Sequence, residues 1–491
     1  MNGRNISSYF SIPITTRSNT QTTPKNEKRL IRPKKCGFRL IIRPKKCTFK
    51  PIIRPKKCNM KRKIYKRMLD WKSSSDRKPL ILRGARQVGK TWLMKEFGRR
   101  KYKKTFYFSF DKEESLHEIF KVNKEPHRII EILGTIRGDK ILPEEDLIIF
   151  DEVQECPEAL NSLKYFNEEA NEYHIVAAGS LLGTLLAKPM SYPVGKVNLL
   201  DIYPMDFEEF LNAVEPVLFN YIEETPPAEI LKIQHDRLIE QYRNYLIVGG
   251  MPDCVCSWMT EKNSGVVLQI QNELLALYEN DISKYNGKVN AGRILLVMRS
   301  IISQLSKENE KFVYGCVKSG ARAREFEEAI EWLVSAGIVI RIYDVTKPEH
   351  PLNVFEDFSS FKLFYFDVGL AKCAAGVSNE AIILNSDFQF KEALTENYCL
   401  QQLRGQFDVA PHYYSPSRNY EVDFLLQNET QIIPVECKAG GNVASASFKR
   451  YRREENPDCA IRFSALEYKE QEDMINVPLY LADRIKQIGK K

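Results

Sequence analysis

Long apolar runs are missing from this sequence. No stretch approaches the roughly 18 consecutive apolar residues of a membrane-spanning helix, and Met1 to Thr20 has no apolar core of a secretory signal. Paired cysteines are missing as well. The 11 Cys are scattered without the spacing of a disulfide framework, as expected of reduced cytosolic thiols. Cys254 and Cys256 form a lone C-x-C with no second pair and no nearby His, so they are read as structural. Acids are nearly absent from residues 1–59, which hold 16 of the 73 Lys and Arg but one of the 64 acids, Glu27. The remainder carries 57 bases against 63 acids, so the net charge of +9 belongs to the tail. It gives no reason to assign nucleic-acid binding to the body of the chain. These absences lead to the expectation of a cytoplasmic protein with no membrane partner.

Within the tail, Arg32-Pro33-Lys34-Lys35-Cys36 recurs at Arg43 to Cys47 and Arg54 to Cys58, an eleven-residue period. Proline opposes helix and dense positive charge opposes collapse, so residues 1–59 are expected to be disordered and dispensable. A basic nucleic-acid arm is the other reading, and Met60 is a second candidate start.

What the body does contain begins at Leu80. An apolar run leads into Gly84-Ala85-Arg86-Gln87-Val88-Gly89-Lys90-Thr91, the G-x-x-x-x-G-K-T of a phosphate-binding loop. Gly84 and Gly89 permit backbone angles that aim N–H groups at phosphate oxygens. Lys90 would reach the β- and γ-phosphates of ATP, and the Thr91 hydroxyl would hold Mg²⁺. Downstream, Leu147 to Phe150 reads as a strand buried on both faces and ends in Asp151-Glu152. Asp151 would bind Mg²⁺ through water, and Glu152 would polarise the attacking water. His174 to Ala178 reads as the neighbouring strand. Ser180 after it is a candidate γ-phosphate sensor, or else the N-cap of a helix over Leu181 to Leu186.

With 491 residues the chain has room for about three domains. The expected class is α/β: a P-loop, AAA-like parallel sheet over residues 60–215, with a helical lid over 216–289. A winged helix over 290–345 and a C-terminal α/β domain over 355–480 follow. Helices are expected over Leu116 to Leu133, Pro157 to Asn167, Phe312 to Val317 and Ala321 to Val334, and Ile338 to Tyr343 would form the wing. The mixed charge of Arg322, Arg324, Glu325, Glu327 and Glu328 makes packing or a protein partner as good a role for that last helix as reading DNA.

The last domain offers a second chemical constellation. Val422 to Leu426 and Ile432 to Lys438 read as strands, and alternation puts Glu436 and Lys438 on one face. If the strands are neighbours, Asp423 lies beside them, with Glu396 available from a packed helix. Carboxylates Asp423 and Glu436 holding a metal, with Lys438 positioning water, is how Mg²⁺-dependent phosphodiesterases are built; a charged strand face is the alternative.

Several further runs share an order: Ala178 to Gly183, Ser191 to Val197, Tyr203 to Leu211, Gly249-Gly250-Met251-Pro252, Tyr278-Glu279-Asn280-Asp281, Phe366 to Leu370 and Glu421 to Phe424. With the phosphate loop and Asp151-Glu152, this set resembles a large family of bacterial and archaeal ATPases common in gut Bacteroidetes. They join an AAA-like domain to a C-terminal domain of unknown function that looks like a PD-(D/E)xK nuclease. The resemblance covers residues 60–480 and implies ATP binding and hydrolysis. It also implies metal-type roles for Asp423, Glu436 and Lys438 if the nuclease-like site is live. Two departures stand out. Ser180 stands where many AAA proteins have Asn, and Ala446-Ser447-Phe448 stands where a lysine often precedes Ser-Leu. Three readings follow: an ATP-driven switch or motor, on DNA or a protein partner; an ATP-gated DNA endonuclease; and a non-catalytic nucleotide-controlled scaffold. An arginine acting in trans, for which Arg243 and Arg341 are candidates, would require a homo-oligomer.

Overall fold

A computed structural model describes residues 60–180, 182, 195–307, 310–441 and 443–488. The basic repeats, most of the helix expected after Ser180, and Ser191 to Val194 lie outside the described residues.

The first layer is built on alternating strand and helix. Helix α1 (Ile64–Ser73) precedes β1 (Leu80–Arg83), α2 (Lys90–Lys101), β2 (Thr105–Ser109), α3 (Leu116–Val122), α4 (Pro126–Arg137) and β3 (Leu147–Asp151). Then come α5 (Pro157–Glu169), β4 (His174–Ala178) and β5 (Asn198–Asp201). Among the described residues these strands form one parallel sheet in the order β2-β3-β4-β1-β5. Strand alternation feeds two cores. Leu80, Leu82, Leu147, Ile149, Val176 and Ala178 face one; Ile81, Ile148, Phe150, Ile175 and Ala177 face the other. Helices on both faces explain why these strands are apolar throughout.

The single helix expected over Leu116 to Leu133 is two. Pro126 cannot continue a helix from upstream but suits a first turn, and the Glu125 side chain caps α4 by accepting from the amides of His127 and Arg128.

A helical region follows: α6 (Phe207–Val214), α7 (Pro216–Glu224), α8 (Lys232–Val248), α9 (Pro252–Glu261), α10 (Ser264–Tyr285) and α11 (Gly287–Leu305). Asp206 and Glu209 close a capping box on α6. The turn from α8 to α9 is forced by contact. A Cβ on Gly250 would lie 2.0 Å from the Met205 carbonyl oxygen. The Gly250 amide donates to Asp367 Oδ2 at 2.7 Å, and its carbonyl accepts from the Met205 amide at 2.7 Å.

Next come α12 (Tyr314–Val317), α13 (Ala323–Ser335), β6 (Val339–Val345) and β7 (Glu356–Tyr365). The second helix of the expected winged module is thus a single turn, with Phe312 ahead of it stacked on Phe361 at 5.5 Å. The expected wing strand β6 pairs antiparallel with β7 and touches β8 (His412–Ser417) in parallel, so it is a member of the large C-terminal sheet. That sheet is completed by β9 (Tyr420–Asn428), β10 (Gln431–Cys437), β11 (Ile461–Ser464), β12 (Lys469–Gln471) and β13 (Met474–Pro478). Among the described residues its order is β12-β13-β11-β10-β9-β8-β6-β7. Helices α14 (Val368–Ala374), α15 (Asn379–Ile383), α16 (Lys391–Leu403), α17 (Ala446–Glu455) and α18 (Ile485–Ile488) accompany it. Asn397 of α16 pins β7 by accepting from the Tyr365 amide and donating to its carbonyl.

One hydrophobic core runs from Leu80 and Val176 in the first sheet through Tyr245 and Leu274 to Phe424 and Val435 in the second. An ion cluster closes it. The Lys63 ammonium, ahead of α1, lies among Asp206, Glu208 and Asp483, and Arg484 pairs with Glu208 and Glu223. Those first three carboxylates have the spacing of a metal site, but the lysine already supplies their cation.

Candidate functional site

The loop between β1 and α2 is wound as phosphate binding demands. Gly84, Gln87 and Gly89 have φ of 149°, 65° and 96°, in the region that favours glycine. A Cβ on Gly84 would meet the Ile202 carbonyl oxygen at 2.2 Å. Lys90 is buried, and its ammonium donates to the carbonyl oxygens of Gly84 and Ala85, each at 2.8 Å. Burial pulls its pKa down to about 8, against the raising effect of the Glu152 and Asp151 charges.

Thr91 lies in the first turn of α2, and its hydroxyl donates to Asp151 Oδ2 at the end of β3, at 2.8 Å. Tyr107, on the adjacent strand β2, donates to the same oxygen at 2.8 Å. Burial pushes the Asp151 carboxyl above the ordinary range. Glu152 follows in left-handed backbone, φ 51°. Its carboxylate accepts from Gln154 Nε2 at 2.6 Å and from the Ser180 hydroxyl at 3.1 Å. Ser180 therefore sits beside the acidic strand, as the spacing predicts, with Glu152 as its partner.

Arg86 leaves the loop and pairs with Asp281 of α10 at 2.6 Å, and the Tyr278 hydroxyl donates to the Arg86 carbonyl at 2.7 Å. A cleft of about 550 Å³ opens here, lined by Arg86, Glu152, Ser180, Asp281 and Tyr285 among others. Tyr107, Gln154 and Asp281 are the residues that sequence reading missed. Asp281 ends the run Tyr278-Glu279-Asn280-Asp281, whose spacing carries no chemical signal of its own; Tyr107 carries no signal beyond strand parity. Of the two arginines considered for trans action, Arg341 is engaged by Glu331 at 2.5 Å and lies over Tyr343. Arg243 lines a small cavity between α8 and α16.

The C-terminal constellation also assembles. Strands β9 and β10 are antiparallel neighbours with Phe424 opposite Val435. Asp423 Oδ2 accepts from the Cys437 amide at 2.6 Å, and Lys438 pairs with Glu436 at 2.7 Å. Burial, then the Glu436 charge, pushes the Asp423 carboxyl well up. Glu396 arrives from α16, but its partner was not foreseen. Lys362 of β7, fully buried, bonds Glu310 at 3.0 Å and Glu421, and lies 3.7 Å from Glu396 Oε2. Burial opposes the charged ammonium; the charges of Glu310, Glu421, Glu396 and Asp423 outweigh it and hold its pKa well above the usual value. Glu396 Oε2 and Glu436 Oε2 are buried without a hydrogen-bond partner.

Comparison with known proteins divides the chain three ways. Residues 76–211 match the model of an AAA domain. Residues 239–381 and 391–480 match two domains of unknown function, DUF8612 and DUF4143. No curated protein matches. Among solved structures there is a distant likeness to a Walker-type ATPase of Pyrococcus abyssi. Its identity is 16% and its TM-score 0.41, covering 64% of this chain and 95% of that one. The RuvB Holliday junction branch migration motor of Thermotoga maritima has 14% identity and a TM-score of 0.28, covering 59% and 92%. The Aeropyrum pernix ORC1 protein in complex with DNA has 13% and 0.27, covering 65% and 91%. Among the described residues no helix is long and apolar enough to cross a membrane. The phosphate-binding loop and the acidic strand thus lie in one parallel sheet within residues 76–211, the stretch that matches the AAA domain model, and two stretches that match domains of unknown function follow along the chain.

Proposed function

We propose that the chain binds ATP with Mg²⁺ and hydrolyses it, acting as a nucleotide-driven switch or motor. The observation that carries this reading is the contact of the Thr91 hydroxyl with Asp151 Oδ2 beside a restrained Glu152. A hydroxyl and a carboxylate oxygen form the hard-oxygen pair that suits Mg²⁺, and Thr91 and Asp151 would hold the ion. When bound, Mg²⁺ would neutralise charge on the β- and γ-phosphates. Lys90 would exchange its two carbonyl partners for phosphate oxygens. Glu152 would accept the proton of the attacking water, while Ser180 and Gln154 fix the orientation of its carboxylate. Because Arg86 is tied to Asp281, replacement of that pair by nucleotide contacts would transmit occupancy to α10.

The test is ATP turnover by the full chain and by residues 60–491, with and without duplex and single-stranded DNA. Turnover is expected in the wild type and not in Lys90→Ala; normal hydrolysis by that variant would overturn the reading. Stimulation by DNA would identify a nucleic-acid motor, and indifference to DNA a switch for a protein partner.

A second reading is metal-dependent phosphodiester cleavage at the C-terminal site. Asp423, Glu436 and Lys438 converge there, and a buried oxygen of Glu436 has no partner. Asp423 and Glu436 would hold the ion, and Lys438 would position the water. DNA from the same tubes, run on a gel with Mg²⁺ or Mn²⁺, should show cutting that Asp423→Ala loses. Uncut DNA under all conditions removes this reading.

A further inference from the structure

We propose that Lys362 is an internal counter-ion that competes with a divalent cation for the C-terminal carboxylates, so that the site accepts a metal only as this ammonium gives way. The proposal rests on the second reading above.

Three elements deliver acids to one lysine. Glu310 comes from the segment after α11, Glu396 from α16 and Glu421 from β9. Glu421 and Asp423 are two apart on β9 and so share a face. The Lys362 side chain starts on β7 and passes the ring of Tyr413 on β8, with its ammonium 5.2 Å from the ring centroid, on its way to β9. Glu396 is the shared member of the two groups. It is the helix carboxylate that a metal at Asp423 and Glu436 would recruit, and it already faces the ammonium at 3.7 Å. A lysine and a divalent ion both satisfy carboxylate oxygens, and two cations cannot use one oxygen without strong repulsion in a buried site. Yet the lysine does not complete the cluster. Five carboxyl groups (Glu310, Glu396, Glu421, Asp423, Glu436) meet two ammonium groups (Lys362, Lys438); Glu396 Oε2 has only its 3.7 Å ion pair with Lys362, and Glu436 Oε2 is left without a hydrogen bond. Buried polar atoms are rarely abandoned in this way. The open oxygen of Glu436 gives the site capacity for a cation, and Lys362 sets how tightly that cation is held.

The experiment is titration of the full chain with Mn²⁺ in the absence of nucleotide, reading free Mn²⁺ by electron paramagnetic resonance. Binding that Asp423→Asn abolishes is assigned to this site. Lys362→Met should tighten that component at least tenfold, and adding Asp423→Asn should erase the gain. Lys362→Met leaves three acids without their cation, so the charge-balanced Lys362→Met/Glu310→Gln variant is measured beside it with circular dichroism as the folding control. The same tightening is expected there, and it carries the test if the single variant does not fold. Equal or weaker Mn²⁺ binding in the folded variants, with Asp423-dependent binding present in the wild type, overturns the competition while leaving the metal reading intact. No Asp423-dependent binding in any folded variant overturns both.

Discussion

Glu152 is restrained at both ends. Its backbone is in the left-handed region, and its carboxylate is held by Gln154 and Ser180. In the proposed reaction Glu152 serves the chemical step rather than nucleotide capture, so Glu152→Gln should keep ATP affinity while turnover falls by about 10² to 10⁴. A fluorescent nucleotide analogue and phosphate release measure the two separately. A second residue-scale prediction concerns His174. Burial, then the charges of Arg77 and Lys72, hold its pKa down to about 3, and Nε2 has no partner. The unfolded chain takes up the proton near pH 6.5 while the native state resists it, so stability is present above pH 6.5 and falls as pH drops towards 3. The slope is up to about 1.4 kcal/mol per pH unit from this group. Urea midpoints from pH 7 to 4.5 should fall more steeply in the wild type than in His174→Gln, and parallel curves would count against the assignment. Lys90, Thr91, Asp151, Glu152 and Ser180 were legible because each ends or follows a strand whose apolar pattern is local. Lys362 was not: its partners lie 52 and 59 residues away for Glu310 and Glu421, and no spacing connects them.

Among the elements, the α8–α9 turn is the least tolerant of change. The Met205 carbonyl occupies the space that a side chain at Gly250 would need. Gly250→Ala should therefore cost about 1–3 kcal/mol through overpacking, seen as a lower denaturant midpoint, whereas Gly138→Ala, with open space around it, strains only the backbone. The elements also show where sequence reading fails. Pro126 was visible, yet helical periodicity over Leu116 to Leu133 hid the break it causes. For β6 the strand itself was legible. Its membership of a large sheet was not, because the strand that contacts it beyond the hairpin, β8, begins at His412.

For the molecule as a whole, the two sheets share a continuous core, and Arg484 holds Glu208 and Glu223 from the far end of the chain. Arg484→Ala leaves these acids with less compensation, Glu208 nearly buried among them. Lys63 still faces Glu208 and Glu223 is half exposed, so the expected loss falls short of the about 3–5 kcal/mol of an orphaned buried charge, read by scanning calorimetry as a lower Tm of the whole transition; an unchanged Tm would show the pairs to be dispensable. That cluster sets a timetable for synthesis. Glu208 and Arg484 are 276 residues apart, and at about 5 to 20 residues per second a nascent chain waits roughly 14 to 55 s between making one and the other. Throughout that interval the phosphate-binding sheet is already translated while the acids beside it lack their arginine. Closure of this cluster therefore waits for residue 484 to leave the ribosome, and ribosome-bound chains stopped before residue 484 should be cut by protease at α6 and α7, where chains that expose Arg484 resist.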